Sequence, residues 1–101
     1  MWTSDDYYDL RNRYYTLKNK VYKTIDYLNA ASNEMSNTLD VGNYFQVNGH
    51  SADNGKFWKT KADMDYLKTY LQNAILPYLD QEIYRAGEKM NELLVAESAN
   101  D

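Results

Sequence analysis

The sequence lacks cysteine altogether and contains one proline, one histidine and four glycines in 101 residues. Without cysteine the chain has no disulfide framework, no zinc knuckle and no thiol nucleophile. A β-sandwich or barrel of this length needs many turns, and turns consume glycine and proline. The shortage therefore favours a mostly helical chain, and its length fits one domain.

Long apolar runs and targeting signals are missing as well. The mean hydropathy of −0.80 excludes a membrane-spanning segment. The first ten residues are acidic and polar, without the basic and apolar regions of a cleavable signal peptide. We therefore expect a cytoplasmic chain, one that would leave the cell only by a route that needs no such peptide. The net charge of −4 is untypical of a nucleic-acid-binding protein.

Tyrosine is abundant, with 11 tyrosines among the aromatic residues, and it marks the first of two long helical segments. This segment, about 4–40, contains neither glycine nor proline, and Ser4 is its candidate N-cap. Apolar residues at 3-4 spacing predict one helix with a coiled-coil-like seam over five heptads. Its first row is Tyr7, Tyr14, Val21, Leu28 and Met35, and its second row is Leu10, Leu17, Thr24, Ala31 and Thr38.

The middle of the chain, 41–56, holds three of the four glycines and predicts a connecting loop. Asn48-Gly49 is a turn pair, because both residues tolerate positive φ. The segment 57–96 then predicts a second helix, with apolar residues from Met64 to Leu93 at spacings of three and four. Pro77 predicts a kink there, or a break into two helices between Asn73 and Pro77.

Together these segments predict an all-α fold, in which two long antiparallel helices form a hairpin around a Gly/Asn-rich loop. One seam between two helices gives a small core, so we expect a second apolar stripe that could pack a partner. Tyrosine supplies it, since this residue tolerates water and is enriched at interfaces. The alternative is that tyrosine replaces phenylalanine on a wide core face. The predicted partner-binding residues are Tyr8, Tyr15, Tyr22 and Ile25 on the first helix, and Tyr66, Tyr70 and Tyr84 on the second.

Catalytic, cofactor and metal sites are not predicted. His50 follows the turn pair without a triad-like arrangement, and an EF-hand register on Gly55 would place Lys61 where a bidentate glutamate is needed. Basic residues from Arg11 to Lys23 alternate with tyrosines but share the helix with several aspartates, which indicates a solvated face. We therefore expect a non-enzymatic protein that binds no nucleic acid.

The loop 43–56, NYFQVNGHSADNGK, followed by a helix with Ile75-Leu76-Pro77, resembles one subgroup of the WXG superfamily of type VII (ESX) secretion. Its members are small helical partners encoded beside LXG-domain toxins in Gram-positive bacteria. The sequence departs from the typical family at Trp58, which is followed by Lys59 and Thr60 instead of the Trp-x-Gly pattern. The export pattern Tyr-x-x-x-Asp/Glu occurs at Tyr22, Tyr78 and Tyr84.

The resemblance implies a targeting partner, or chaperone, that binds the helical LXG domain of a toxin, together with a second small helical partner. The assembly would then present a composite signal to the type VII machinery. The recognition tip would be the loop residues Tyr44, Phe45, Asn48, Gly49, Asp53 and Asn54. Two alternatives stay open, namely a structural homo-oligomer that forms a dimeric four-helix bundle and an acidic mimic of nucleic acid.

Overall fold

The computed structural model describes residues 1–44 and 54–99. Helix α1 spans Ser4–Tyr44, α2 spans Asn54–Tyr70 and α3 spans Leu76–Ala99. Between α2 and α3 lies a π-helical segment, Leu71–Ile75. The described residues contain no strand, which confirms the predicted all-α helical hairpin.

The helices extend further into the predicted loop than the sequence pattern indicates. α1 continues to Tyr44 rather than ending near residue 40, and α2 begins at Asn54 rather than near residue 57. Tyr44 and Asn54 are therefore helix ends instead of loop residues. The other predicted tip residues, Phe45, Asn48, Gly49 and Asp53, lie outside the described residues.

The start of α1 is capped by Thr3, whereas the sequence indicates Ser4. The Thr3 amide donates to Asp6 Oδ2 at 2.8 Å, and the Asp6 amide donates to Thr3 Oγ1 at 3.4 Å. This is a reciprocal capping box, with aspartate in the place of the usual glutamate. Trp2 precedes the cap and packs on Tyr7 with ring centroids 5.0 Å apart, as in a hydrophobic staple.

The two arms of the hairpin run antiparallel in a rod that measures 81 × 17 × 15 Å. At the open end, Ser4 Oγ donates to Glu97 at 2.8 Å. Lys18 pairs with Asp80 further along, and nearer the loop Ser32 Oγ donates to Asp65 at 2.8 Å. These cross-links fix one register between α1 and the second arm.

α1 turns a different pair of rows toward the second arm than the sequence pattern predicts. The first predicted row is confirmed, since Val21 is buried and its other members are half-buried. The second row is wrong, because Leu17, Thr24 and Ala31 are exposed and Leu10 is only half-buried. Its place is taken by Ser4, Arg11, Lys18, Ile25 and Ser32. Ser4, Lys18 and Ser32 in this row have polar partners across the seam. A pattern of apolar residues does not reveal such a row.

The irregularity near Pro77 is a π-helical turn rather than a break. The Leu76 amide bonds to the Leu71 carbonyl, five residues back. Proline at 77 has no amide hydrogen to continue the α-helical ladder. The additional residue in this turn lets Ile75 pack against the core as well as Leu76. The wider turn fits the apolar spacings of four from Leu71 to Ile75 and Leu79, whereas Leu67, four residues before Leu71, is exposed.

The core is narrow and is centred near the middle of the hairpin. Its centre is formed by Val21, Ile25, Leu76 and Leu79, with partly buried Tyr14, Leu71 and Ile75 around them. Toward the loop the two arms are joined by polar contacts, such as Ser32 with Asp65 and Lys68 with Asn29, both at 2.8 Å. The hairpin therefore buries little apolar surface of its own.

Candidate partner-binding surface

Three tyrosines of α1 line one side of the hairpin. Tyr8, Tyr15 and Tyr22 recur at intervals of seven residues, close to two helical turns, and so share one side of α1. Their exposed fractions are 49%, 47% and 48%. Each ring therefore rests partly on the hairpin and presents the remainder to the surroundings, as interface tyrosines do before assembly.

Tyr84 of α3 joins this row across a groove of about 310 Å³. The groove lies between α1 and α3, and its lining includes Arg11, Tyr15, Ile83, Tyr84, Gly87 and Glu88. We call the surface formed by Tyr8, Tyr15, Tyr22 and Tyr84 the tyrosine face. Four of the predicted contact residues are thus brought to one side of the molecule.

Two cations of α1 lie beside the rings of the tyrosine face. The Arg11 guanidinium is 5.7 Å from the ring centroid of Tyr8, and Lys18 Nζ is 5.9 Å from that of Tyr22. Both distances fall within the range of cation–π attraction. The sequence pattern predicts a solvated face for these basic residues, and that prediction misses their position beside the rings. Their alternation with tyrosines is the sequence feature that indicates this position.

Carboxylates of α3 border the other side of the groove. Lys18 Nζ donates a hydrogen bond to the Asp80 carboxylate, and this bond is the main cause that raises the pKa of Lys18 above its ordinary value. The Tyr84 hydroxyl donates to Glu88, which raises the pKa of Tyr84. The tyrosine face thus has positive charge along α1 and negative charge along α3.

Ile25 does not belong to this surface, so its prediction as a partner-binding residue is wrong. It is 5% exposed and packs in the core with Val21, Leu76 and Leu79. Its row turns toward the second arm, because α1 packs through the row that contains Arg11 and Lys18 instead of the row of Leu10 and Leu17. A partner can reach Ile25 only if the hairpin opens.

Tyr66 and Tyr70 are exposed but stand apart from the tyrosine face. Both belong to α2, and their exposed fractions are 74% and 51%. The same helix turns Met64, Asp65 and Lys68 toward α1. At 100° per residue, Tyr66 and Tyr70 then point away from α1. The predicted stripe on the second arm is therefore divided into Tyr84 and a separate tyrosine pair.

Another groove, of about 550 Å³, runs along α1 and includes Asp9, Arg13, Leu17 and Lys20 in its lining. It contains Leu17 of the displaced second row, and a smaller groove that continues it includes Trp2 and Leu10. α1 thus exposes some apolar surface here as well. Charged side chains interrupt this surface more often than they interrupt the tyrosine face.

Metal-ligating side chains do not gather in the described parts of the chain. Residues 1–44 and 54–99 contain no group of three histidine, cysteine, aspartate or glutamate side chains placed to hold a metal ion. The helices in these ranges are also too polar for any of them to cross a bilayer.

Comparison with known proteins adds no relative, because no protein-family model, curated protein or solved structure matches this chain.

Proposed function

We propose that this chain is a non-enzymatic helical partner that binds the helical LXG domain of a toxin and supports its export by a type VII secretion system. The observation that carries the proposal is the tyrosine face, with four half-exposed or exposed rings on one side of a hairpin with a narrow core. Tyrosines placed in this way are suited to cover apolar surface on a partner.

The energetics of the hairpin support an assembly of helices. Two helices share one seam, and a chain of this size gains little stability from such a core. A third and a fourth helix packed on the groove between α1 and α3 would complete a bundle. Partner binding would also stabilise the hairpin by mass action, so its stability would rise with partner concentration.

The remaining surfaces fit the same role. The exposed pair Tyr66 and Tyr70 offers a second contact area, suited to the additional small helical partner that the family resemblance implies. The loop between α1 and α2, with Phe45, Asn48, Gly49 and Asp53, is the proposed recognition tip. The chain would act in the cytoplasm and accompany the toxin to the secretion machinery without a cleaved signal peptide.

Co-expression with the protein encoded by the neighbouring gene tests the proposal. We expect the hairpin to co-purify with a long helical N-terminal domain of that protein and to lose it when the domain is deleted. Removal of the hairpin gene should abolish secretion of the toxin while its cellular level is retained. A Tyr66→Ser/Tyr70→Ser variant would test whether the second tyrosine pair contributes.

Light scattering on the purified chain distinguishes the alternative of a structural homo-oligomer. A tight dimer that ignores the neighbouring gene product would favour a self-contained four-helix bundle. A monomer, or a dimer that dissociates when the helical domain is added, would favour the targeting partner.

A further inference from the structure

Arg11 is the exception in its row of α1. The row turns toward the second arm of the hairpin, and its other polar members have polar partners there. Ser4 bonds to Glu97, Lys18 to Asp80 and Ser32 to Asp65. Arg11, one heptad before Lys18, lies instead against a residue that has no side chain.

That residue is Gly87 of α3. A Cβ atom placed on Gly87 would lie 3.6 Å from Arg11 Nη1 and 3.8 Å from Arg11 Cδ, so the arginine stem rests directly on the helix backbone. Arg11 Nε is buried there, and no acceptor among the described residues bonds to it. A buried donor without an acceptor destabilises the state in which it is buried.

Arginine at position 11 is therefore an unfavourable residue for the stability of the isolated hairpin. An unbranched apolar side chain such as methionine would cover Gly87 equally well without burying a polar atom. Arginine becomes favourable if another molecule brings a carboxylate to the two terminal nitrogens of the guanidinium, which are not among the buried unpaired atoms, since the planar guanidinium pairs with a carboxylate through two parallel hydrogen bonds. Tyr8 and Tyr15 flank Arg11 along α1 and would shield such a pair from water.

We infer that Arg11 determines specificity on the tyrosine face by binding a carboxylate of the docked partner helix. This rests on the proposed function, and it states the chemistry of the partner. The partner helix carries aspartate or glutamate level with Arg11 and an apolar stripe that covers Tyr15 and Tyr84. Its acidic side faces α1, because Glu88 on α3 would repel a carboxylate on the opposite side of the groove.

An Arg11→Met variant tests the inference, because it should raise the stability of the free hairpin and lower its affinity for the partner. The melting temperature of the free hairpin should rise by about 4 °C or more, because the buried donor is removed. Affinity for the helical domain encoded by the neighbouring gene should fall by about tenfold or more, because a partner carboxylate loses its cation. Arg13→Met is the matched control, since Arg13 is exposed and lines the groove along the other side of α1. It should change affinity less than about threefold.

Each other outcome overturns the inference in a distinguishable way. A lower melting temperature for Arg11→Met would show that Arg11 serves the hairpin itself. Unchanged affinity would show that the partner supplies no acceptor, while the proposed function would stand. Failure of the wild-type chain to bind the domain at all would overturn both.

Discussion

Ser4, at the start of α1, donates both its hydroxyl and its backbone amide to the carboxylate of Glu97, near the end of α3. The two hydrogen bonds measure 2.8 Å and 3.3 Å and join residues 93 positions apart. They place a negative charge at the positive end of α1, where backbone N–H groups have no helical partner. The two hydrogen bonds thereby hold the start of α1 against the end of α3.

Substitution Glu97→Gln should loosen this end. We expect the free energy of unfolding to fall by about 1 kcal/mol, because the charged acceptor at the helix N-terminus is lost. Hydrogen exchange should increase in the first two turns of α1. Glu92→Gln is the control, since Glu92 pairs only loosely with Lys89 at 3.3 Å on the exposed side of α3. A control that destabilises as much as Glu97→Gln would contradict the account.

The register of the seam is tested by two leucines. Leu79→Ala should lower the free energy of unfolding by about 2–4 kcal/mol, because Leu79 is 2% exposed at the centre of the core. A hairpin with so small a core would then be largely unfolded at 25 °C. Leu17→Ala should cost less than about 0.5 kcal/mol, because Leu17 is 47% exposed. Urea unfolding followed by circular dichroism measures both, and equal losses would support the seam that the sequence pattern predicts.

Gly87→Ala should stabilise the free hairpin by about 0.5–1 kcal/mol, because glycine is a poor residue within a helix. The new methyl group would meet Arg11 at ordinary contact distances of 3.6 Å and 3.8 Å. Thermal unfolding of the two chains side by side measures the difference. A lower melting temperature for the alanine variant would show that Arg11 cannot share the space.

Asp65 should make stability depend on pH in the acidic range. A hydrogen bond from Lys61, and a weaker effect of the hydrogen bond from Ser32, hold the pKa of Asp65 below its ordinary value. Its contribution is complete above about pH 5 and is lost as the pH falls through the lowered pKa, because the unfolded carboxyl titrates near 3.9. Asp65→Asn should therefore be less stable than the wild type at pH 7, and the difference should shrink below about pH 4.

Asp63→Asn is the control for this pH series. Asp63 contacts Lys59 on the exposed side of α2, and such surface pairs contribute little. Its unfolding curve should follow that of the wild type throughout the series. A difference for Asp65→Asn that stays constant down to pH 2 would contradict a role for the ionised carboxylate.

The helices and one row of the seam could be predicted from the sequence because apolar periodicity depends on local spacing. Tyr14, Val21 and Leu28 recur at sevens, and they face the second arm as that pattern predicts. The companion row could not be found in this way, since Lys18 and Ser32 enter the seam through polar partners that are distant in the chain. Which row of α1 faces the second arm depends on Asp80 and Asp65 of that arm. The companion row is therefore determined only when the two arms pack together.

Some positions of the surface residues could be predicted from local spacing, and others could not. The spacing of Tyr8, Tyr15 and Tyr22 places them on one side of α1, and the structure confirms that placement. Ile25 is buried instead, because its row, which includes Arg11 and Lys18, turns toward the second arm. The separation of Tyr84 from Tyr66 and Tyr70 follows from the π-helical turn at Leu71–Ile75, which changes the phase between α2 and α3.

The central claim, that the tyrosine face binds a helical partner, is tested most directly by calorimetric titration with the proposed partner, a helical LXG domain. The variant Tyr8→Ser/Tyr15→Ser/Tyr22→Ser should keep its helical circular dichroism and lose at least about 100-fold in affinity, or about 2.7 kcal/mol. Tyr27→Ser/Tyr78→Ser, which alters exposed tyrosines elsewhere on the hairpin, should bind as the wild type does. A folded triple variant that binds with wild-type affinity would contradict the account.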